Sequence, residues 1–230
     1  MEKLKILNRL IESKFVLVLR AESKEKALEI ARNSIEAGIK IIEVTFTIPQ
    51  AEEVIKILVD EYKGNSEVII GAGTVFDSET SRIAILNGAK FIVAPTFNNK
   101  TCIACNRYGV PYIPGCFTPT EIITARESGV DIAKLFPGSA FSPKIIKDLK
   151  APIKGMGIMV SGGVNYENMN DWFENGADII SIGSAITSIK DKEIMKKEVN
   201  KYIKKLWNKE GQNEEGFSIR GIIDKTYTTK

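Results

Sequence analysis

Apolar residues along this chain fall into two alternating patterns: short, nearly unbroken runs, and longer stretches where they return every three or four positions. The short runs are Phe15–Arg20, Lys40–Thr45, Val68–Ala72, Phe91–Pro95, Pro111–Pro114, Asp131–Phe136, Gly157–Ser161 and Asp178–Gly183, about 23 residues apart. Continuous rather than alternating apolarity predicts parallel strands covered by helices. Between the runs lie helical patterns. Ser23–Gly38 opens on a serine cap, places Ala27, Ile30, Ala31 and Ile35 at helical spacing, and stops at Gly38. Gln50–Tyr62, Ser78–Gly88, Asn98–Gly109, Thr118–Gly129, Ser142–Lys150 and Asn165–Gly176 behave alike, and several end on the glycine expected of a left-handed helix terminator.

A helix over residues 2–13 precedes the first strand, and another, Glu193–Trp207, follows the last. Eight βα units in about 200 residues predict an α/β protein, a (β/α)8 barrel of the TIM type with an N-terminal helix. An open doubly wound sheet usually carries a glycine loop after its first strand, and Leu19-Arg20-Ala21-Glu22-Ser23 has none. The barrel domain is expected over 1–207. Residues 208–230, polar and broken by Gly211 and Gly216, read as a C-terminal tail without assigned function.

Composition narrows the function. With 230 residues, 43% hydrophobic, 27% charged and a net charge of +3, the chain reads as an ordinary globular domain. The positive charge forms no basic run, so no nucleic-acid partner is expected. No apolar stretch has the length of a membrane span, and the first residues lack a signal-peptide core, so a cytoplasmic location is expected. The chain has no histidine, which removes Ser-His-Asp, Cys-His and histidine-base chemistry. Cys102 and Cys105 form a CxxC, but it falls inside a helical pattern and has no second pair to complete a zinc site.

The residues that stand out are charges in apolar strands. Lys134 sits within Val130-Asp131-Ile132-Ala133-Lys134-Leu135-Phe136-Pro137. A buried ammonium is costly, and a lysine that gives up its proton becomes a nucleophile toward a carbonyl carbon. Glu43 lies in Ile41-Ile42-Glu43-Val44-Thr45, and Arg20 ends the first strand. In a barrel, such residues at strand ends face the active site. Glu43 would shuttle protons, while Arg20 would hold a substrate carboxylate and disfavour the charged form of Lys134.

After strands seven and eight come Ser161-Gly162-Gly163-Val164 and Gly183-Ser184, glycine loops suited to a phosphate. Gly71-Ala72-Gly73-Thr74-Val75 offers Thr74 as a hydroxyl donor, and Pro95, Pro114 and Phe136 are candidate apolar walls. A phosphosugar epimerase or isomerase, or a barrel that only senses a phosphorylated ligand, would use parts of the same set.

Taken in order, Glu43-Val44-Thr45, Gly71-Ala72-Gly73-Thr74-Val75, Pro114-Gly115, Lys134-Leu135-Phe136-Pro137 and Ser161-Gly162-Gly163-Val164 resemble the 2-keto-3-deoxy-6-phosphogluconate (KDPG) aldolases, which often also cleave 4-hydroxy-2-oxoglutarate. The resemblance spans roughly residues 15–186. It implies a homotrimer, no metal or other cofactor, and a class I mechanism that yields pyruvate from a 2-keto-3-deoxy phosphosugar acid. It matches Lys134 to the Schiff-base lysine, Glu43 to the proton-transfer carboxylate and Thr74 to the pyruvyl site. Gly162, Gly163 and Ser184 match the phosphate loops, with Ser161 where many members have threonine. Some members carry an arginine four residues after the glutamate; here that position is Thr47, and Arg20 matches an arginine of other members. Cleavage of the galactonate-derived epimer is the nearest alternative.

Overall fold

The computed structural model describes residues 1–207. The apolar runs form β1 (Phe15–Leu19), β2 (Ile41–Thr45), β3 (Ile69–Gly73), β4 (Ile92–Val93), β5 (Tyr112–Ile113), β6 (Gly115–Cys116), β7 (Ile132–Leu135), β8 (Gly157–Ser161) and β9 (Ile179–Ile182). All pairings are parallel, in the order β5-β4-β3-β2-β1-β9-β8-β7-β6. β5 and β6 are the two halves of one rung: β5 pairs with β4, β6 pairs with β7, and only Pro114 separates them. The expected eight strands therefore emerge as nine, because proline has no N–H to give to a ladder. Its carbonyl still accepts the Lys134 N–H at 2.8 Å, and the ring of strands closes through this rung. The architecture is the (β/α)8 barrel.

The helices are α1 (Glu2–Ser13), α2 (Lys24–Glu36), α3 (Ala51–Glu61), α4 (Ser78–Leu86), α5 (Asn99–Tyr108), α6 (Pro119–Glu127), α7 (Ile145–Lys150), α8 (Met169–Glu174), α9 (Ser184–Thr187) and α10 (Lys192–Trp207). Their starts follow local chemistry. Ser23, Asp77 and Asn98 each accept the backbone N–H three residues on, and Thr118 with Glu121 forms a capping box. α8 begins four residues later than its apolar pattern predicts. Asn165 and Asn168 exchange side-chain-to-backbone hydrogen bonds of 2.9 and 3.0 Å, which hold the chain in a turn first.

Two cores result. The larger lies between strands and helices. The smaller fills the barrel, where Val16, Ile41, Ile69, Phe91, Ile132, Met159 and Ile179 meet Leu7 and Leu10 of α1. The amphipathic N-terminal helix thus plugs the mouth at the strands' N-terminal ends. Side chains two residues apart on a strand share a face. The next inward layer is then Val18, Glu43, Gly71, Val93, Lys134, Ser161 and Ser181, and it lies toward the open C-terminal mouth. Among the described residues no helix is long and apolar enough to cross a membrane.

Candidate active site

The strand parity that places Ile41 and Ile132 in the barrel core also places Glu43 and Lys134 inside. Both are buried, at 1% and 5% exposure. Burial pushes the Glu43 carboxyl above its ordinary range, while the positive charges of Lys134, and then Arg20, act in the opposite direction. These two cations are the charges the carboxyl feels, so the structure brings the three residues together. Arg20, just beyond β1, is exposed at the mouth. Glu43 Oε2 has no hydrogen-bond partner among the described residues. A buried oxygen left unpaired is costly in a purely structural carboxylate and is suited to a group that exchanges protons with a ligand.

The space Glu43 occupies exists because residue 73 is glycine. A Cβ there would lie 2.0 Å from Glu43 Oε1. Lys134 Nζ stands 4.9 Å from the centre of the Phe136 ring, which forms one side of its surroundings.

Lys134, Arg20 and Phe136 line a cleft of about 470 Å³ that is also lined by Ser161–Asn165 and Gly183–Ala185. Gly162 and Gly163 have φ of 86° and 77°, a left-handed backbone that few side chains tolerate. At Gly163 a Cβ would also approach Ser139 Cβ to 2.8 Å. Asn168 Nδ2 donates to the Gly163 carbonyl at 2.8 Å and fixes the loop. A cleft with an amine, a guanidinium and a glycine-lined wall suits a substrate with an electrophilic carbon and anionic ends.

Most of the expected residues meet here: Lys134, Arg20, Phe136, Ser161, Gly162, Gly163, Gly183 and Ser184 wall the cleft, with Glu43 buried close to Lys134 and Arg20. Thr74, half-buried with φ of 58°, follows Gly73, and Pro95 follows β4; neither belongs to the wall. Pro114 is buried between β5 and β6. Ser181 does line the cleft, although the sequence reading did not single it out. It is 3% exposed, pairs with Ser161 in register, and its hydroxyl reaches the Val160 carbonyl at only 3.4 Å. Its position two residues past the core residue Ile179 was the available signal.

Cys102, Cys105 and Cys116 are free and buried; burial pushes the Cys105 and Cys116 thiols up to about 12, which keeps them protonated and inert. No group of three metal-ligating side chains gathers among the described residues. A larger groove of about 990 Å³ lies against α1 at the closed mouth and contains none of the site residues.

Fold and family-like site together define a class: a (β/α)8-barrel enzyme with Lys134 and Glu43 buried toward its C-terminal mouth. The family model for KDPG and KHG aldolase matches residues 6–206, and the chain belongs to that family of carbon–carbon lyases. The 2-dehydro-3-deoxy-6-phosphogalactonate aldolase of Escherichia coli K12 is 35% identical over 74% of this chain and 82% of its own length. The 2-dehydro-3-deoxy-phosphogluconate aldolase of Treponema pallidum is 34% identical over 67% of this chain and 73% of its own. The solved native KDPGal structure superposes with a TM-score of 0.79 at 31% identity, covering 86% of this chain and 96% of that one.

Proposed function

We propose that the protein is a class I aldolase that cleaves 2-keto-3-deoxy-6-phosphogluconate to pyruvate and glyceraldehyde 3-phosphate, with 4-hydroxy-2-oxoglutarate as a second substrate. The observation that carries the reading is the buried Lys134 beside a carboxyl whose affinity for protons is raised. Lys134, as the free amine, attacks the C2 ketone, and loss of water gives an iminium. Glu43, directly or through a water, takes the C4 hydroxyl proton. The C3–C4 bond breaks, its electron pair passes into the iminium as an enamine, and the aldehyde leaves. Glu43 returns the proton to the enamine carbon. Hydrolysis then releases pyruvate and restores the amine.

Arg20 holds the carboxylate, Thr74 donates to the pyruvyl group, and Pro95 and Phe136 are apolar walls. Ser161–Gly163 with Gly183 and Ser184 hold the phosphate. A carboxyl that readily keeps a proton is suited to returning it in the second half of the cycle.

The galactonate-derived epimer is the second reading, favoured by the name of the E. coli relative. Purified protein tested on both epimers, with released pyruvate measured by coupled reduction to lactate, separates them. The higher kcat/KM is expected on the gluconate compound; a higher value on its epimer reverses the assignment, and no pyruvate from either removes the aldolase reading.

The proposal includes a cytoplasmic homotrimer. Phe76, with Ile83 and Leu86 of α4 and Ile103 of α5, is 45–62% exposed, an apolar face suited to burial between copies.

A further inference from the structure

Arg20 is asked to hold a carboxylate from an exposed position one residue beyond the end of β1, where ladder pairing has stopped at Leu19. The last rung of that pairing already holds the Leu19–Arg20 peptide, and a side chain adds to its hold. Thr45, fully buried at the end of β2, has its Oγ1 2.8 Å from the Leu19 carbonyl and 2.8 Å from Thr47 Oγ1. A carbonyl only accepts, so Thr45 donates its hydroxyl hydrogen to Leu19, and the second bond must be donated by Thr47. The result is a directed chain: Thr47 to Thr45, Thr45 to Leu19. Its last acceptor belongs to the same planar peptide unit as the Arg20 N–H.

The loop that carries Thr47 is tied independently. The Ile48 N–H donates to the Thr45 carbonyl at 3.0 Å, closing a turn that folds Thr47 back over Thr45. The Phe46 N–H donates to the Gly73 carbonyl at 2.9 Å, anchoring the same loop to β3 beside Glu43. The donating chain therefore starts from a fixed point. A valine at 47 would keep the size and branching of threonine and lose the hydroxyl that donates to Thr45.

We infer that Thr47 and Thr45 are positioning residues that set the direction of Arg20 through the Leu19–Arg20 peptide, and so tune the affinity for the substrate carboxylate without taking part in bond making. The inference rests on the carboxylate role given to Arg20 above. Polarising the Thr45 hydroxyl by the Thr47 bond strengthens its hold on Leu19, so the outer residue matters although it is exposed.

The test is the rate of borohydride inactivation of the full chain as pyruvate concentration is varied. This separates half-saturation from the limiting rate at saturating pyruvate. Thr47→Val is expected to raise the half-saturating pyruvate concentration by roughly 3- to 10-fold, the scale of one lost hydrogen bond, with the limiting rate within about twofold of wild type. Thr47→Ser, which keeps the donor, should restore the wild-type value. In an Arg20→Gln background, Thr47→Val should add nothing, because the group it positions is gone.

An unchanged half-saturation in Thr47→Val overturns the inference. So does a loss confined to the limiting rate, or a full effect that persists without Arg20, which would mean that Thr47 touches the ligand itself. Failure of the underlying reading looks different: wild type shows no pyruvate-dependent inactivation, or Arg20→Gln alone leaves half-saturation where it was. Thr45→Val probes the buried link and should shift half-saturation in the same direction, provided circular dichroism reports an intact barrel.

Discussion

Glu43→Gln should make the protein more stable at neutral pH and nearly inactive, and the stability gain should depend on pH in a direction fixed by the site. Burial raises the Glu43 carboxyl above the ordinary value of 4.5. The folded protein therefore binds this proton more tightly than the unfolded chain. The resulting stabilisation is fully present below 4.5, and it is lost as pH rises through the raised folded value. Glutamine has nearly the same shape and never ionises. The stability difference, variant minus wild type, should therefore grow by about 1.4 kcal/mol for each pH unit above 4.5 until the folded value is passed, then level off.

The charges of Lys134 and Arg20 oppose the burial cost and limit the height of that plateau. Taking the difference removes the pH dependence shared by both proteins, including that of surface carboxylates such as Glu36 and Glu67, whose bridges to lysine act in the opposite direction. Equilibrium urea unfolding of both proteins from about pH 4 to pH 8, at equal protomer concentration, measures the difference. A difference that stays flat, or that favours wild type increasingly as pH rises, refutes the account of Glu43 as a desolvated carboxyl. In the same variant kcat should fall by roughly 100- to 10,000-fold, the range for losing a general base.

Other outcomes follow from individual distances. Gly73→Ala puts a methyl 2.0 Å from Glu43 Oε1, so the carboxyl must move; turnover should fall on the order of 100-fold while pyruvate still forms its adduct on Lys134, as mass spectrometry can show. Gly163→Ala forces a side chain onto a backbone with φ of 77° and against Ser139, and steady-state kinetics should show a raised KM for the phosphorylated substrate with less change for 4-hydroxy-2-oxoglutarate. Leu86→Glu combined with Ile103→Glu places charges on the exposed apolar face and should give monomers by sedimentation velocity, with the helical circular dichroism spectrum retained.

Much of the fold can be read along the chain because both barrel layers leave a trace in sequence. Doubly covered strands make unbroken apolar runs, and α2, α4, α5 and α6 each start on a capping side chain. The division of the fifth strand needed the effect of Pro114 on pairing, since a run of apolar letters does not show which N–H is missing. The candidate site was legible where it broke the apolar pattern: Lys134 and Glu43 are charges in runs that should have none. Ser181 broke it too, but a serine raises no alarm in a strand, and only its parity with Ile179 marks it as inward. The Thr47–Thr45–Leu19 chain was not legible, because it joins two strands through side chains whose distance no local pattern encodes. The CxxC pattern, read from its helical surroundings as part of a helix, lies in α5 with both thiols free and buried.

The central claim is that Lys134 becomes covalently bonded to the keto carbon. Incubation with pyruvate and borohydride, followed by peptide mapping, tests it most directly. One reduced pyruvyl group should appear on the peptide carrying Lys134, its formation should abolish turnover, and Lys134→Ala should show neither adduct nor activity while keeping its fold. An adduct on another lysine, or full turnover in protein that carries no adduct after treatment, contradicts the account.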